Sequence, residues 1–388
     1  MQRWMSIWYQ CKFRSFFYQS LFLIILVWCV ISIVQVLQNN LDERGIEIGF
    51  GFLNDTAGFS IIQHLISYDE KASYLRVFVV GLLNTLLVSA LGIIFATIIG
   101  FLIGMARVSS QGLLQAIATL YIESVRNIPL LLQLFIWYFV VLRMAPYPQQ
   151  PISLFDSIFI TNRGIYLPSP IMEPNAYTYI LASVFALILS VIFFRSNRNS
   201  CLQKGERRSF FFLFGMLSVF AVIVSLALLV TSLRWQIPIL GRFNYEQGIN
   251  LLPEFLALLF ALSIYTAAYI AEVVRMGIRS VPKGQWEAAI ALGFSNWRTL
   301  RLIIIPQSLK VILPPLTSQY LNLIKNSSLA AAIAYPDLVS IFAGTVLNQS
   351  GHAVEIIAIT MGVYLFINLV ISVLMLKFEH ATNWGQRK

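Results

Sequence analysis

Charge is scarce in this chain of 388 residues: Asp, Glu, Lys and Arg together make up only 11%. That is less than half the proportion usual in soluble domains. So few charges cannot cover a water-facing surface, which excludes a soluble enzyme of two or three domains. With 58% apolar residues, disorder is excluded as well. Cysteine is rare too. Cys11, Cys29 and Cys201 lie far apart, and Cys29 sits inside an apolar run, so packing is expected rather than a disulfide or metal framework. His64, His352 and His380 are scattered, with no His-Glu-x-x-His pair to hold zinc. A Gly-x-x-x-x-Gly-Lys-Ser/Thr loop is missing, so the chain does not bind ATP by a P-loop. Gly-x-Ser-x-Gly, the setting of a serine nucleophile, is also missing.

What the chain has is long apolar runs, and a spanning helix needs about 20 such residues. Eight segments are expected to span: 20–37, 78–104, 113–142, 177–194, 210–230, 251–274, 311–334 and 354–376. The first follows Arg3, Lys12 and Arg14 like a signal peptide, but lacks a small-residue cleavage site and is read as an anchor. The fold expected is all-α and polytopic, with about eight transmembrane helices. With the N-terminus inside, 18 Lys and Arg fall in inner segments and 7 in outer ones, while Arg126 and Lys325 fall within spans. That bias places both termini in the cytoplasm. It also accounts for the net charge of +10 without nucleic acid, because the basic residues sit in short loops between apolar runs.

The spans differ in character. Runs 177–194 and 210–230 are almost free of charge and read as scaffold or lipid-facing helices. Run 113–142 carries Glu123, Arg126, Asn127 and Pro129; run 311–334 carries Pro314, Pro315, Asn322, Lys325 and Asn326. Ionisable groups at membrane depth face a partner or a watery cavity, and prolines free backbone groups that protein or water must satisfy. Two readings stay open for each. Glu123 with Arg126, and Glu272 with Arg275, are spaced to pair on one helix face or to border a pathway. Asn322, Lys325 and Asn326 share a face that lines a pathway or locks a bend. Asn84 and Ser89 serve as interhelical glue or as pathway groups.

Between the sixth and seventh runs lies a loop, residues 275–310, of a different kind. Pro282 and Gly284 stop the preceding helix. Trp286 to Leu292 are expected to form a short helix with Glu287 near its start, Gly293 as a left-handed cap and Ser295 capping the next helix. Ala288 and Ala289 then present a small-residue surface that another protein can approach closely. A solvated loop helix is the plain alternative, and the spacing argues against it: Gly293 follows Ala289 by four positions, and nine residues lead on to Ile303-Ile304-Ile305-Pro306.

That spacing resembles the coupling-loop signature of ABC-transporter permease subunits, with Ile305 where the family pattern has Leu. Asn84-Thr85-Leu86, the stretch Tyr121 to Phe135, Ala268 to Arg275 and Lys325 to Leu329 are similar to the polar amino-acid permeases of the histidine/glutamine type. The matching stretches cover about 81–142 and 249–376; the N-terminal helix and the helix pair in between resemble the longer, general L-amino-acid permeases. The resemblance implies a type I ABC importer permease core, non-catalytic, in a bacterial inner membrane. It implies two separate ATPase subunits that use ATP, a second permease (identical or homologous) and an extracytoplasmic amino-acid-binding protein, with no cofactor on this chain. Glu287, Ala288, Ala289, Gly293 and Pro306 would couple to the ATPase. Asn84, Glu123, Arg126, Asn127, Glu272, Asn322, Lys325, Asn326 and Ser327 are the candidate pathway residues.

The expected organisation is an anchor and outer loop at 1–77, a first core part at 78–142, an outer loop with the helix pair at 143–250, and a second core part at 251–388. A gradient-driven secondary transporter using Glu123 or Glu272 is the rival, although no inverted repeat is visible. A membrane-embedded enzyme is a third reading without a recognisable nucleophile or metal cluster.

Overall fold

A computed structural model describes residues 11–43, 49–172, 176–200, 207–231, 233–242 and 244–383. Arg3, Arg44, Cys201, Lys204, Arg387 and Lys388 lie outside the described residues. The chain divides into two compact units, one of residues 1–89 with 320–388 and the other of 90–319. Each is built from apolar helices, as the composition requires.

In the first unit, helix α1 (Cys11–Glu43) exposes apolar side chains such as Phe22, Leu23, Ile24 and Trp28 along its length. A helix that is apolar all round requires a non-aqueous surrounding. Helix α2 (Tyr74–Val108) begins here and crosses into the second unit. Its first turns pack Val77 and Val80 with Phe52, Ile61, Leu338, Phe342 and Ile356 in a buried cluster. Asn84 and Thr85 clamp the turn that follows a 3₁₀ segment, Ser327–Ile333. The Asn84 amide donates to the carbonyls of Pro336 (2.8 Å) and Gln63 (2.9 Å), and Thr85 accepts from the Leu338 amide (3.0 Å). The clamp holds Ala334 in the left-handed region at φ 56°, a conformation unusual for a residue with a side chain. Asp337 then caps a π-helical segment, Leu338–Val346, by accepting from the Ser340 amide. After a short α11 (Leu347–Ser350), helix α12 (Ala353–Asn383) completes the unit.

The second unit is organised around α7 (Pro253–Arg279), the most buried of the candidate spans among the described residues. The later half of α2 lies against it through Gly100 and Gly104. A Cβ on Gly104 would sit 2.7 Å from Val274 Cβ and 2.8 Å from the Ala271 carbonyl, so only glycine permits this approach. Helices α3 (Gly112–Arg126) and α4 (Leu130–Met144) form one apolar stretch bent by 104°. Pro129 causes the break, since it lacks an N–H and forbids helical geometry to Ile128. Helices α5 (Ala176–Ser200) and α6 (Arg207–Thr231) pair with each other. Past α7 come α8 (Lys283–Ala291), α9 (Asn296–Thr299), a π segment Leu300–Ile304 and α10 (Ile305–Asn326), which runs on into the first unit. The π segment precedes Pro306, whose missing N–H leaves the regular ladder incomplete.

About eight transmembrane helices were expected. Among the described residues, four helical stretches are long and apolar enough to cross a membrane, or five with the bent pair α3–α4 counted as one. Helices α1, α5 and α6 contain the expected runs 20–37, 177–194 and 210–230. The fold is mainly helical, but the segments flanking α5 and α6 also contain strands. β1 (Ile152–Leu154), β2 (Ile158–Thr161), β3 (Gly164–Leu167) and, later in the chain, β8 (Ile249–Leu251) form an antiparallel sheet in that order. β4 (Ser169–Met172) pairs with β5 (Leu233–Gln236), and β6 (Ile239–Leu240) with β7 (Tyr245–Glu246). Stacking of Phe159 on Tyr245 (4.5 Å between ring centres) joins the first and last of these groups.

Candidate functional site

The loop between α7 and α10 folds as a short capped helix. Pro282 precedes α8, and Gly293 ends it at φ 79°. The Phe294 amide donates to the Ala289 carbonyl (3.1 Å) and the Gly293 amide to Ile290 (2.9 Å). This pair of bonds is a Schellman cap, which selects glycine at the left-handed position. Three details differ from expectation. The helix begins at Lys283, so Glu287 is outside the first turn and does not complement the helix dipole there. Ala289 is 1% exposed and packs within its own unit; only Ala288 of the pair faces outward. Ser295 makes no side-chain cap bond to α9, a helix of four residues. Around α8 the exposed apolar groups are Ile290, Leu292 and Trp297. A cavity of ≈ 360 Å³ between Trp286, Trp297, Met105 and Ile278 opens beside them.

Three helices of the second unit meet in a charged knot. Arg107 of α2 donates to Glu272 of α7 at 2.8 Å and to Glu123 of α3 at 3.2 Å. Glu272 also accepts from Arg275, as its i, i+3 spacing predicted. Glu123 pairs across helices with Arg107 instead of with Arg126 along its own. Arg126 lies over the Tyr269 ring, 5.1 Å from its centre. The Glu272 side chain is 17% exposed and Glu123 56%, so removing the Glu272 carboxylate strands its partners more expensively than removing that of Glu123. Asn127, exposed, ends α3 at the break.

In the first unit, Asn322 and Lys325 of α10 are exposed and Asn326 half-buried. Lys325 lines an open cavity of ≈ 400 Å³ with Ser328, Val339, Thr360, Met361 and Tyr364. Asn84 and Ser327, two other candidate pathway residues, are fully buried. Asn84 serves the clamp described above, and the Ser327 hydroxyl donates to the Ile324 carbonyl (2.7 Å). Both fit the role of glue.

Sequence reasoning missed several residues of these sites. Gln133 donates to the carbonyls of Val125 and Ile128 (2.8 and 2.9 Å) and so satisfies the backbone that the break exposes. Tyr121 ties α3 to α7 through the Ile264 carbonyl (2.6 Å). A signal existed for Gly100 and Gly104, whose four-residue spacing in an apolar run marks a close helix contact. For the cross-helix partners of Arg107 there was none.

Apolar spanning helices, one of them broken and polar at its break, with a capped helix between two spans, define a multi-pass membrane protein. Residues 92–383 match the family of binding-protein-dependent transport system inner membrane components. The chain belongs to that family. It is 52% identical over 362 residues to a putative amino-acid ABC transporter permease protein, YhdX, of Escherichia coli K12, covering 93% of this chain and 92% of that one. It is 44% identical over 388 residues to the general L-amino acid transport system permease protein AapQ of Rhizobium johnstonii (99% and 94% covered). A glutamate/glutamine/aspartate/asparagine transport system permease protein, BztB of Rhodobacter capsulatus, is 37% identical over 412 residues (98% and 96% covered).

Proposed function

We propose that this chain is the permease subunit of an ATP-driven ABC importer for amino acids. It forms half of the translocation pathway, with a second permease, identical or homologous, forming the other half. Two ATPase subunits bind ATP and engage the loop at Glu287, Ala288 and Gly293, and an extracytoplasmic binding protein delivers the amino acid. Both termini are cytoplasmic, in keeping with the bias of basic residues. The chain itself holds no catalytic group. Ala289 and Pro306 act from within, Ala289 by packing α8 onto its own unit and Pro306 by the π turn that leads into α10.

The observation that carries this reading is the geometry of α8. A helix with a Schellman cap, placed between two spans, is stiff enough to transmit a rigid displacement between two packing states. Ala288, Ile290 and Leu292 are exposed around it, and a cavity lined by Trp286, Trp297 and Met105 lies nearby. Along the pathway we place Glu123, Arg126, Asn127 and Glu272 in the second unit and Asn322, Lys325 and Asn326 in the first. Membership of a binding-protein-dependent family favours this reading over a gradient-driven transporter, in which Glu123 or Glu272 would carry protons. Purification of the tagged chain from membranes that also express the partner subunits tests it. Recovery of ATPase and a second permease, with ATP-dependent amino-acid uptake after reconstitution, is expected. Uptake driven by an ion gradient without an ATPase would overturn it.

A further inference from the structure

The charged knot of the second unit contains more positive than negative groups. Arg107, Arg126 and Arg275 stand against only Glu123 and Glu272, and both carboxylates are engaged by Arg107 and Arg275. Arg126 is the spare cation. Among the described residues its guanidinium has no hydrogen-bonded acceptor, and its contact is the face of the Tyr269 ring. A contact with the face of a ring leaves the N–H donors of a guanidinium available.

A second group of donors lies beside it. The hydroxyls of Tyr265 and Tyr269 are 3.1 Å apart and bonded to each other. Two hydroxyls carry two protons, and their mutual bond uses one. The other is left to donate outward. Both tyrosines are half-buried and Arg126 is exposed, so the cluster has an open side. It also sits where the α3–α4 stretch breaks, and interrupted helices are where membrane transporters place polar groups around a passing solute.

We propose that Arg126, Tyr265 and Tyr269 form a carboxylate-binding subsite for the transported amino acid. This rests on the importer reading above and adds the ligand group that the site recognises. A planar carboxylate accepts two parallel N–H bonds from a guanidinium, and the free tyrosine hydroxyl donates a third bond to it. The subsite reads what all amino acids share and leaves the side chain unread.

The test uses the complete complex of permeases and ATPases, in nanodiscs and without the binding protein, so that only the permease is queried. Labelled L-glutamine, L-glutamate and L-arginine serve as probes, each competed by its unlabelled form and by its α-carboxamide. The parent amino acids are expected to compete and the amides to fail. Arg126→Gln should weaken binding of all three by about ten- to a hundredfold per assembled complex, the range for losing charge-assisted hydrogen bonds. Arg126→Lys, which keeps the charge but loses the fork, should recover part of it, and Tyr269→Phe should cost several-fold. Amides that compete as well as the parents would overturn the proposal, even where a variant fails to assemble. So would Arg126→Gln that lowers only the yield of complex, or an effect that appears in anionic-lipid nanodiscs and not in phosphatidylcholine, which would assign the guanidinium to a lipid phosphate. A wild-type complex that imports no amino acid with ATP and binding protein would instead refute the importer reading itself.

Discussion

Replacing Gly104 by alanine adds one methyl group at the closest approach of α2 to α7. The new Cβ would stand 2.7 Å from Val274 Cβ and 2.8 Å from the Ala271 carbonyl oxygen. Neither neighbour is the free end of a flexible side chain. To restore ordinary contact the helices must part by roughly 0.7 Å, which a close-packed interface resists. Overpacking of this kind costs about 1–3 kcal/mol, and alanine's better helix propensity returns less than about 1 kcal/mol. The net expectation is a loss of about 1–2 kcal/mol, or a fall of ~2–6 °C in thermal midpoint. Gly362 of α12 is the control, because a Cβ there meets nothing within 4 Å. Gly362→Ala should hold or slightly raise the midpoint. The assay is the temperature at which the detergent-solubilised chain loses its monodisperse elution peak. A Gly104→Ala midpoint at or above that of the wild type would refute the close α2–α7 packing.

Glu272→Gln leaves Arg107 and Arg275 without their shared carboxylate and should destabilise by close to the lower end of about 3–5 kcal/mol, whereas Glu123→Gln should cost less than about 1 kcal/mol, its side chain being 56% exposed; thermal midpoints of the two variants decide. Burial pushes the Asp337 carboxyl up to about 7 from its ordinary 3.8, so the folded state holds its proton more tightly than the unfolded state. Stability is then greatest below about pH 4 and falls as pH rises toward 7, a slope that Asp337→Asn should flatten in unfolding measured from pH 4 to 8. A single cysteine at Asn54, exposed in the structure, should react with an impermeant thiol reagent added outside intact cells; protection there would reverse the assigned orientation.

The spans around the core were legible because hydropathy alone determines them. The 253–279 helix matches the expected 251–274 run, and the capped helix before Gly293 was readable from Pro282 and Gly293, whereas Gly284, read as a stop for the preceding helix, lies inside the short one. Run 113–142 shows the limit of that signal. Its apolar character continues through Pro129, so composition gives one span, while backbone geometry gives two helices at 104°. The short strands escaped notice because segments of two to four residues carry too few positions to show alternation. At the candidate site, local pairings such as Glu272–Arg275 follow from helical spacing. The partner of Glu123 does not, since Arg107 comes from another helix and only tertiary packing brings it within 3.2 Å. Ala288 and Ala289 are adjacent in sequence and identical in type; which of them faces outward depends on the phase of α8, which starts earlier than expected.

That difference in exposure supplies the most direct test of the coupling role proposed for α8. Ala288→Asp puts a charge on the outward face without entering the chain's own packing, whereas Ala289→Asp buries one inside it. The measurement is the amount of ATPase that co-purifies with the Ala288→Asp permease, taken together with ATP-driven amino-acid uptake in vesicles. The account predicts a correctly inserted, monodisperse Ala288→Asp protein that has lost the ATPase or hydrolyses ATP without uptake. Wild-type ATPase retention combined with wild-type uptake would contradict it.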